Sequence, residues 1–240
     1  MQTLLQDLKH ALKMFRDSPG FTLTAIAALT LGIGANTAIF SVVNTVVLKP
    51  IPFAQPDRLV LLMNSNRETG NAGAGSSPAK FMHWRAQTEV LEDVAAYRTN
   101  SLNYTAGDIP ERVTANQVSE AYFRAFRAPI IQGRGFAPEE DLPGEPKTTV
   151  ISYNFWIRRL ASDPDIIGKS LSLSGDPYTV IGILGEDFDL REFGDPDLFV
   201  PFQLDPNTTD QGHYFLTAAR IKPGVTLEQA QERLEVSADQ

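Results

Sequence analysis

The tripeptide Gly168-Lys169-Ser170 has the residue types that end a phosphate-binding loop, where backbone N–H groups and a lysine hold phosphate oxygens. That motif needs another glycine five residues before Gly168, but this position holds Asp163, whose carboxylate would repel a phosphate. The motif must also lead into the N-terminus of a helix, whereas the residues from Leu171 onwards predict a strand. We therefore interpret the segment as a strand start.

Five carboxylates close together in the sequence could supply the oxygen ligands that calcium prefers. They are Asp187, Asp189, Glu192, Asp195 and Asp197. Their spacing differs from that of a calcium-binding helix–loop–helix site, which favours a solvated acidic loop. The chain has no cysteine, and His83 has no histidine or glutamate partner in a ligand pattern. We predict no metal-ligating and no cofactor-binding residues.

Catalysis finds no support in the motifs of the sequence either. A serine hydrolase would be indicated by a G-x-S-x-G turn, which does not occur in the sequence. The formal net charge of −8 over 240 residues argues against a general nucleic-acid binder, because such proteins are usually basic. We predict no catalytic residues, and we expect a protein that is not an enzyme and has no nucleic-acid partner.

Residues 21–48 contain no charged side chain, which makes them the clearest structural signal in the chain. About 20 apolar residues suffice to cross a hydrocarbon core, so this stretch predicts a transmembrane helix. Two alternatives stay open: a cleaved signal peptide, whose apolar region is shorter, and a buried helix of a soluble core, which seldom runs so long without charge.

The charges on either side of the span predict its orientation. Lys9, Lys13 and Arg16 precede it, and only Lys49 follows closely. The positive-inside rule then places residues 1–20 in the cytoplasm and residues 49–240 in the periplasm. Leucines on one face of residues 3–16 also predict a short amphipathic helix that contacts membrane lipid at the inner interface.

The span contains small residues at Gly32, Gly34 and Ala38. Small side chains let two membrane helices approach closely. We predict that these three residues contact another helix, in a homodimer or in a partner permease.

The remaining residues, 49–240, predict an α+β domain because strand patterns alternate with short helix patterns. Residues 78–90 predict a helix capped by Ser77, with Phe81, Trp84 and Leu91 on its buried face. Near the end of the chain, Thr226 and Gln229 form a capping-box pattern that predicts a further helix.

Several separate blocks of the sequence occur in the order found in one transporter family. They are SPGF at 18–21, LGIGANT at 31–37, the block VISYNFWIRRLASDPDIIGKSLSLSGDPYTVIGIL at 150–184, and ARIKPGVTLEQAQERL at 219–234. With them the chain resembles MacB/FtsX-type ABC transporter permeases over nearly its whole length. The resemblance is strongest to the long-permease branch common in acidobacteria.

This resemblance implies a fold and a role. It implies one transmembrane helix followed by a MacB-like periplasmic core domain, built from a porter-like α/β lobe and an inserted, mostly β lobe, for which residues 165–202 are the candidate. It also implies a non-catalytic permease component of an export system in the inner membrane, with an ABC ATPase subunit as partner in trans. The later membrane helices of the family do not follow in this sequence, so we expect a fragment of a longer permease.

Two other hypotheses remain at this stage. One is a stand-alone, membrane-tethered periplasmic module that binds other molecules. The other is an anchored periplasmic hydrolase, which would need a polar cleft with convergent titratable groups.

Overall fold

The computed structural model of the chain describes residues 6, 10, 13–43, 53–65, 72–106, 109–188 and 194–237. The chain divides into two compact units, Met1–Ile51 and Pro52–Gln240. The first unit holds one long helix, and the second is a mixed α+β domain with a single large sheet.

The first unit contains helix α1, Pro19–Val43. Residues Pro19–Ser41 are long and apolar enough to cross a membrane, with a mean hydropathy of 1.7, and none of them is buried within the protein. Thr22 and Thr24 donate their hydroxyl protons to the carbonyl oxygens of Ser18 and Gly20, at 2.9 and 3.0 Å. These bonds satisfy polar groups that would otherwise lack partners in hydrocarbon.

The helix differs slightly from the predicted span. It begins two residues earlier, at Pro19, because a proline suits the first helical turn, where its missing N–H costs nothing. The predicted end of the span, 44–48, lies outside the described residues, as does half of the amphipathic segment 1–20. Of the described residues in that segment, 6, 10 and 13–17 are helical, and 19 and 20 begin α1.

The second unit is built on twelve strands and four short helices among the residues that the structure describes. The strands are β1 Leu59–Leu62, β2 Asn64–Ser65, β3 Ala72–Gly73, β4 Gly75–Ser76, β5 Leu91–Thr105, β6 Glu111–Val118, β7 Ile130–Gly133, β8 Thr148–Ile151, β9 Ser170–Leu173, β10 Asp176–Leu184, β11 Leu198–Pro201 and β12 Phe215–Ile221. The helices are α2 Pro78–Arg85, α3 Tyr122–Ala125, α4 Tyr153–Arg159 and α5 Leu227–Ser237.

Ten of the strands form one sheet, with the order β1-β12-β5-β6-β11-β8-β10-β7. Strand β4 pairs with β12, and β9 pairs with both β10 and β5. Two neighbouring pairs, β10 with β8 and β11 with β6, are parallel, and the others are antiparallel. The predicted α+β class is confirmed.

Successive residues of the central strands point to opposite faces of the sheet, so each face has its own core. Ala95 and Ala218 belong to a cluster rich in aromatic rings that includes helix α3. Their neighbours Ala96 and Ala219 belong to a second cluster, which packs against α2 and α5. A third cluster surrounds the fully buried Phe155 of α4.

Strands β7 and β10 approach each other closely at two glycines. A Cβ atom on Gly182 would lie 2.3 Å from the carbonyl oxygen of Arg134, and one on Gly133 would lie 2.1 Å from that of Ile181. Gly133 also has a φ of +76°, which L side chains rarely adopt. Only glycine fits at either position.

One predicted helix is shorter than its pattern suggested. Helix α2 ends at Arg85 and not at residue 90, and Leu91 is the first residue of β5. Leu91 is still buried, but on a strand, because the backbone turns at 86–90 before it enters the sheet. The capping of this helix by Ser77 is confirmed, since the Ser77 hydroxyl accepts a hydrogen bond from Lys80 N.

The segment predicted as the inserted lobe, 165–202, contributes strands β9, β10 and β11 to the large sheet. Strand β11 pairs with β6 and β8, which lie outside that segment. The segment is therefore joined to the rest of the domain by continuous backbone hydrogen bonding. Its boundaries as a lobe stay a prediction.

Candidate functional site

The segment that resembles a phosphate-binding loop is a strand start, as predicted. Strand β9 begins at Ser170, and no helix follows. Lys169 forms an ion pair with Asp163, the residue that stands where the motif needs glycine. The lysine that would hold a phosphate thus binds a carboxylate of its own chain.

The acidic run does not form a metal centre among the residues that the structure describes. Asp189 and Glu192 lie outside those residues. Asp197 accepts a hydrogen bond from Thr114 N at 3.0 Å and one from Arg158 at 3.4 Å. Asp197 therefore joins β6 to α4. His83 lies 3.1 Å from the Ser237 hydroxyl and so joins α2 to α5.

The three small residues predicted to contact another helix all lie on α1. At about 100° per residue, Gly34 and Ala38 lie about 40° apart, but Gly32 lies at least about 120° from both. Nothing lies within 4 Å of a Cβ atom placed on Gly32 or Gly34. Gly34 and Ala38 can share one contact face, and Gly32 belongs to another. Their role in helix contact stays a prediction.

The best-defined candidate site is the attachment of the chain that follows the membrane segment. We call it the connector anchor: Phe53, Ala54, Gln55 and Arg58 of the connector, held by Arg220 of β12. The Phe53 side chain is buried in the aromatic cluster, with its ring 5.0 Å from that of Phe126. The connector is thus fastened at its first described residue.

Arg220 provides the polar part of the connector anchor. Its side chain is fully buried, yet its guanidinium donates to three backbone carbonyls: Ala125 O at 2.8 Å, Ala54 O at 2.9 Å and Gln55 O at 3.1 Å. Burial lowers the pKa of Arg220 below its usual value, and the nearby Arg127 and Arg58 lower it further. An arginine still keeps its charge at neutral pH. One cation therefore joins the connector, β12 and the end of α3.

Arg58, the second arginine of the connector anchor, makes the remaining polar contacts. Arg58 Nε donates to Ile221 O at 2.8 Å, and the same guanidinium forms an ion pair with Glu92, which Arg127 also binds at 2.6 Å. Burial alone would raise the pKa of Glu92, but hydrogen bonds from Arg127 and Arg58 lower it overall. Glu92 is therefore ionised at neutral pH and joins β5 to the connector and to the end of α3.

Sequence reasoning missed the connector anchor. The available signal is one charged residue in an otherwise apolar strand, FLTAARI, at a position that shares its sheet face with Ala218. A lone cation at an inward position requires buried acceptors. Those acceptors are backbone carbonyls 95 and 165–166 residues away, which no side-chain pattern reveals.

A second group of charged residues lies where α2, α3 and the turn Pro138–Asp141 meet. Glu120 is buried and binds Arg85 at 3.1 Å and Arg124 at 2.7 Å. The backbone N–H of Glu120 donates to Asp141 at 3.1 Å, and Gln203 N donates to the same carboxylate at 2.9 Å. Glu120 is thus a junction between α2, α3 and the turn that ends at Asp141.

An apolar helix followed by a mixed α+β domain fits a membrane-anchored protein with a folded domain beyond the membrane. The model of the MacB-like periplasmic core domain family matches residues 22–236. The chain belongs to this family, which confirms the predicted resemblance to MacB/FtsX-type ABC transporter permeases. Nothing in the comparisons distinguishes the acidobacterial branch.

The relatives agree with this assignment. The chain is 27% identical over 138 residues to macrolide export ATP-binding/permease protein MacB 1 of Yersinia pestis bv. Antiqua, covering 56% of the chain and 21% of that protein. The chain spans about a quarter or less of the length of the curated relatives that it matches.

Solved structures show the same fold. The crystal structure of the periplasmic region of MacB from Actinobacillus actinomycetemcomitans superposes with a TM-score of 0.57 at 15% identity, over 76% of this chain and 82% of that one. The extracellular domain of the noncanonic ABC-type transporter YknZ from Gram-positive bacteria superposes with a TM-score of 0.50 at 19% identity, over 72% and 87%.

The connector anchor predicts a large effect for Arg220→Met. The substitution removes a fully buried guanidinium and leaves the carbonyls of Ala54, Gln55 and Ala125 without their donor. We therefore expect the free energy of unfolding to fall by about 3–5 kcal/mol. Urea unfolding of the whole chain in detergent, followed by the fluorescence of Trp84 and Trp156, measures this loss.

The matched control is Arg159→Met, because the ion pair of Arg159 with Glu111 lies at the surface. We expect this variant to stay within about 1 kcal/mol of the wild type. Equal losses for the two variants would contradict a special role for Arg220.

The buried carboxyl of Asp141 predicts a pH dependence. Burial raises the pKa of Asp141 from 3.8 to about 6, despite hydrogen bonds from Gln203 and Glu120. The folded state therefore holds this proton more tightly than the unfolded state, and the resulting stability is lost as the pH rises from about 4 to 6. In unfolding experiments, we expect this contribution to the free energy of unfolding to be about 2–3 kcal/mol larger at pH 4 than at pH 7.

Asp141→Asn removes this titratable group. The free energy of unfolding of the wild type, minus that of the variant, should therefore increase as the pH falls. The control is Glu139→Gln, a change at an exposed residue in the same turn, which should follow the wild-type profile. Parallel profiles for the wild type and Asp141→Asn would refute the assignment.

Proposed function

We propose that this chain is a non-catalytic permease component of an ABC-type export system. Residues 1–20 lie in the cytoplasm, α1 crosses the inner membrane, and residues 49–240 lie in the periplasm. The chain couples a partner ATPase to a conformational change of the periplasmic domain. Membership of the family, the apolar helix and the flanking charges support this proposal.

The observation that carries the proposal is the connector anchor. Force on a membrane helix reaches a folded domain only if the connecting chain is held firmly to that domain. Here Phe53 is packed among aromatic rings, and buried Arg220 binds the two carbonyls that follow. A displacement of the connector is then passed to β12 and, through Ala125, to α3.

The register of the sheet supports the same role. Leu59, the first residue of β1, pairs with Arg220 near the end of β12. The chain that comes from the membrane helix and the chain that continues towards α5 therefore meet at one end of the sheet. A domain placed between two membrane helices needs its two connections at one end.

The partners belong to this proposal as well. An ABC ATPase subunit acts in trans, as the resemblance implies, and membrane lipid surrounds α1. A homodimer or a partner permease would pack on the face that holds Gly34 and Ala38, because small residues at this spacing permit close helix approach.

The absence of cysteine from the chain makes its orientation directly testable, since one introduced cysteine is the only thiol. A membrane-impermeant maleimide added to spheroplasts should label Asn207→Cys, because residue 207 is exposed on the proposed periplasmic side. It should label Gln6→Cys only after the membrane is permeabilised. The opposite pattern would contradict the orientation, and labelling of neither variant in intact spheroplasts would place the domain inside the cell.

Loosening the connector tests the coupling itself. We insert Gly-Ser-Gly-Ser between Pro50 and Ile51 in the protein expressed from its native locus, and the control carries the same insertion between Pro206 and Asn207 in an exposed loop. Both proteins should purify with an ATPase from membranes. ATP should change the maleimide reactivity of a cysteine at Ile109 in the wild type and the control, but not in the connector variant, because a flexible linker transmits little force.

Two results would contradict the proposal. One is failure of the wild type to purify with an ATPase from membranes. The other is an unchanged response to ATP when the connector is lengthened.

A further inference from the structure

An open groove of about 470 Å³ lies beside α2, between this helix, the turn Pro138–Asp141 and residues 204–206. Most of its walls are apolar, and they come from Met82, Ala86, Pro138, Leu142, Leu204 and Pro206. The groove has the size of ordinary ligand sites. Its rim is solvent-exposed at Ala86, Leu142 and Pro206, so an occupant would be covered on one side only.

The polar residues of the groove give it an excess of negative charge. Arg85, Glu139 and Asp141 line it. Arg85 forms an ion pair with Glu120 at 3.1 Å, and its charge also acts on Asp141, so the groove holds two carboxylates and one guanidinium. Asp141 is 94% buried and accepts two backbone N–H groups, which leaves further lone pairs on its carboxylate. The buried Asp141 thus lies against apolar walls, and Glu139 adds a second negative charge at the exposed edge of the groove.

We propose that this groove binds a segment of a partner protein that presents a lysine or arginine between apolar side chains. The cation faces Asp141 and Glu139, and the apolar side chains lie against Met82, Leu142 and Leu204. Charge complementarity selects a basic residue over an acidic one. The exposed rim suits a segment that continues beyond the groove at both ends, because a small ligand is usually enclosed on most sides.

This proposal goes beyond the proposed function and can be tested without the ATPase, so the two can fail separately. The probe is the peptide Ala-Leu-Lys-Leu-Ala with blocked ends, titrated calorimetrically into the whole chain in dodecylmaltoside. We expect a dissociation constant of about 10–500 μM, typical of a short segment with few anchoring contacts. The peptide with glutamate in place of lysine should bind at least about tenfold more weakly.

Charge reversal in the groove separates recognition from non-specific adsorption. Leu142→Lys places a cation on the exposed rim, so it should weaken the lysine peptide at least about tenfold and strengthen the glutamate peptide. Ile131→Lys, the matched control, adds the same charge at an exposed residue on β7, outside the groove, and should bind like the wild type.

Each remaining outcome counts against the proposal. Equal affinity for the lysine and glutamate peptides would show adsorption to apolar surface or detergent only. Absence of binding by the wild type at millimolar peptide, or an equal effect of the two lysine variants, would overturn the site. Far-ultraviolet circular dichroism of Leu142→Lys confirms that a loss reflects the groove and not unfolding.

Discussion

A buried guanidinium that binds three backbone carbonyls is the interaction on which the rest of this structure depends. Arg220 lies in an apolar core, where an unpaired charge would be strongly destabilising. Its acceptors, at Ala54, Gln55 and Ala125, belong to two segments that pack against β12. The positions of the connector and of α3 are therefore not independent of each other, and a shift of either one strains the same hydrogen bonds.

The ion pairs around this core extend the same constraint through the domain. Glu92 joins β5 to Arg58 of the connector and to Arg127, and Glu120 joins α3 to α2 through Arg124 and Arg85. Exposed ion pairs contribute little to stability, but Glu120 is buried, and loss of either arginine would leave its charge less well compensated. The groove beside α2 and the connector anchor are thus connected through a few polar contacts on α3, a four-residue helix between them.

Much of the fold follows from local patterns in the sequence. Helix α1 is predicted to within two residues at its start, because a long run without charge has one stable solution in a membrane. Eight of the twelve described strands and the Ser77 cap follow from strand patterns and turn chemistry, whereas β2, β3, β4 and β7 do not. The end of α2 could not be predicted from the sequence, because residues 86–90 contain no strong helix breaker. The helix ends at Arg85, and Leu91 is instead the first residue of a strand in the sheet. The three small residues of α1 can be placed by helical geometry, which separates Gly32 from Gly34 and Ala38, but their contact with another helix stays a prediction.

The sequence by itself determined a charge-free helix, an α+β domain and a family, because periodicity, caps and ordered blocks of residues are all properties of neighbours along the chain. Only the tertiary structure decided what Arg220 binds and where the groove lies. The contacts of Arg220 join residues up to 166 positions apart, and its three acceptors are carbonyl groups of a kind that every residue carries. Side-chain patterns do not encode which carbonyls face a buried cation, so the packing of the strands and helices must bring them there.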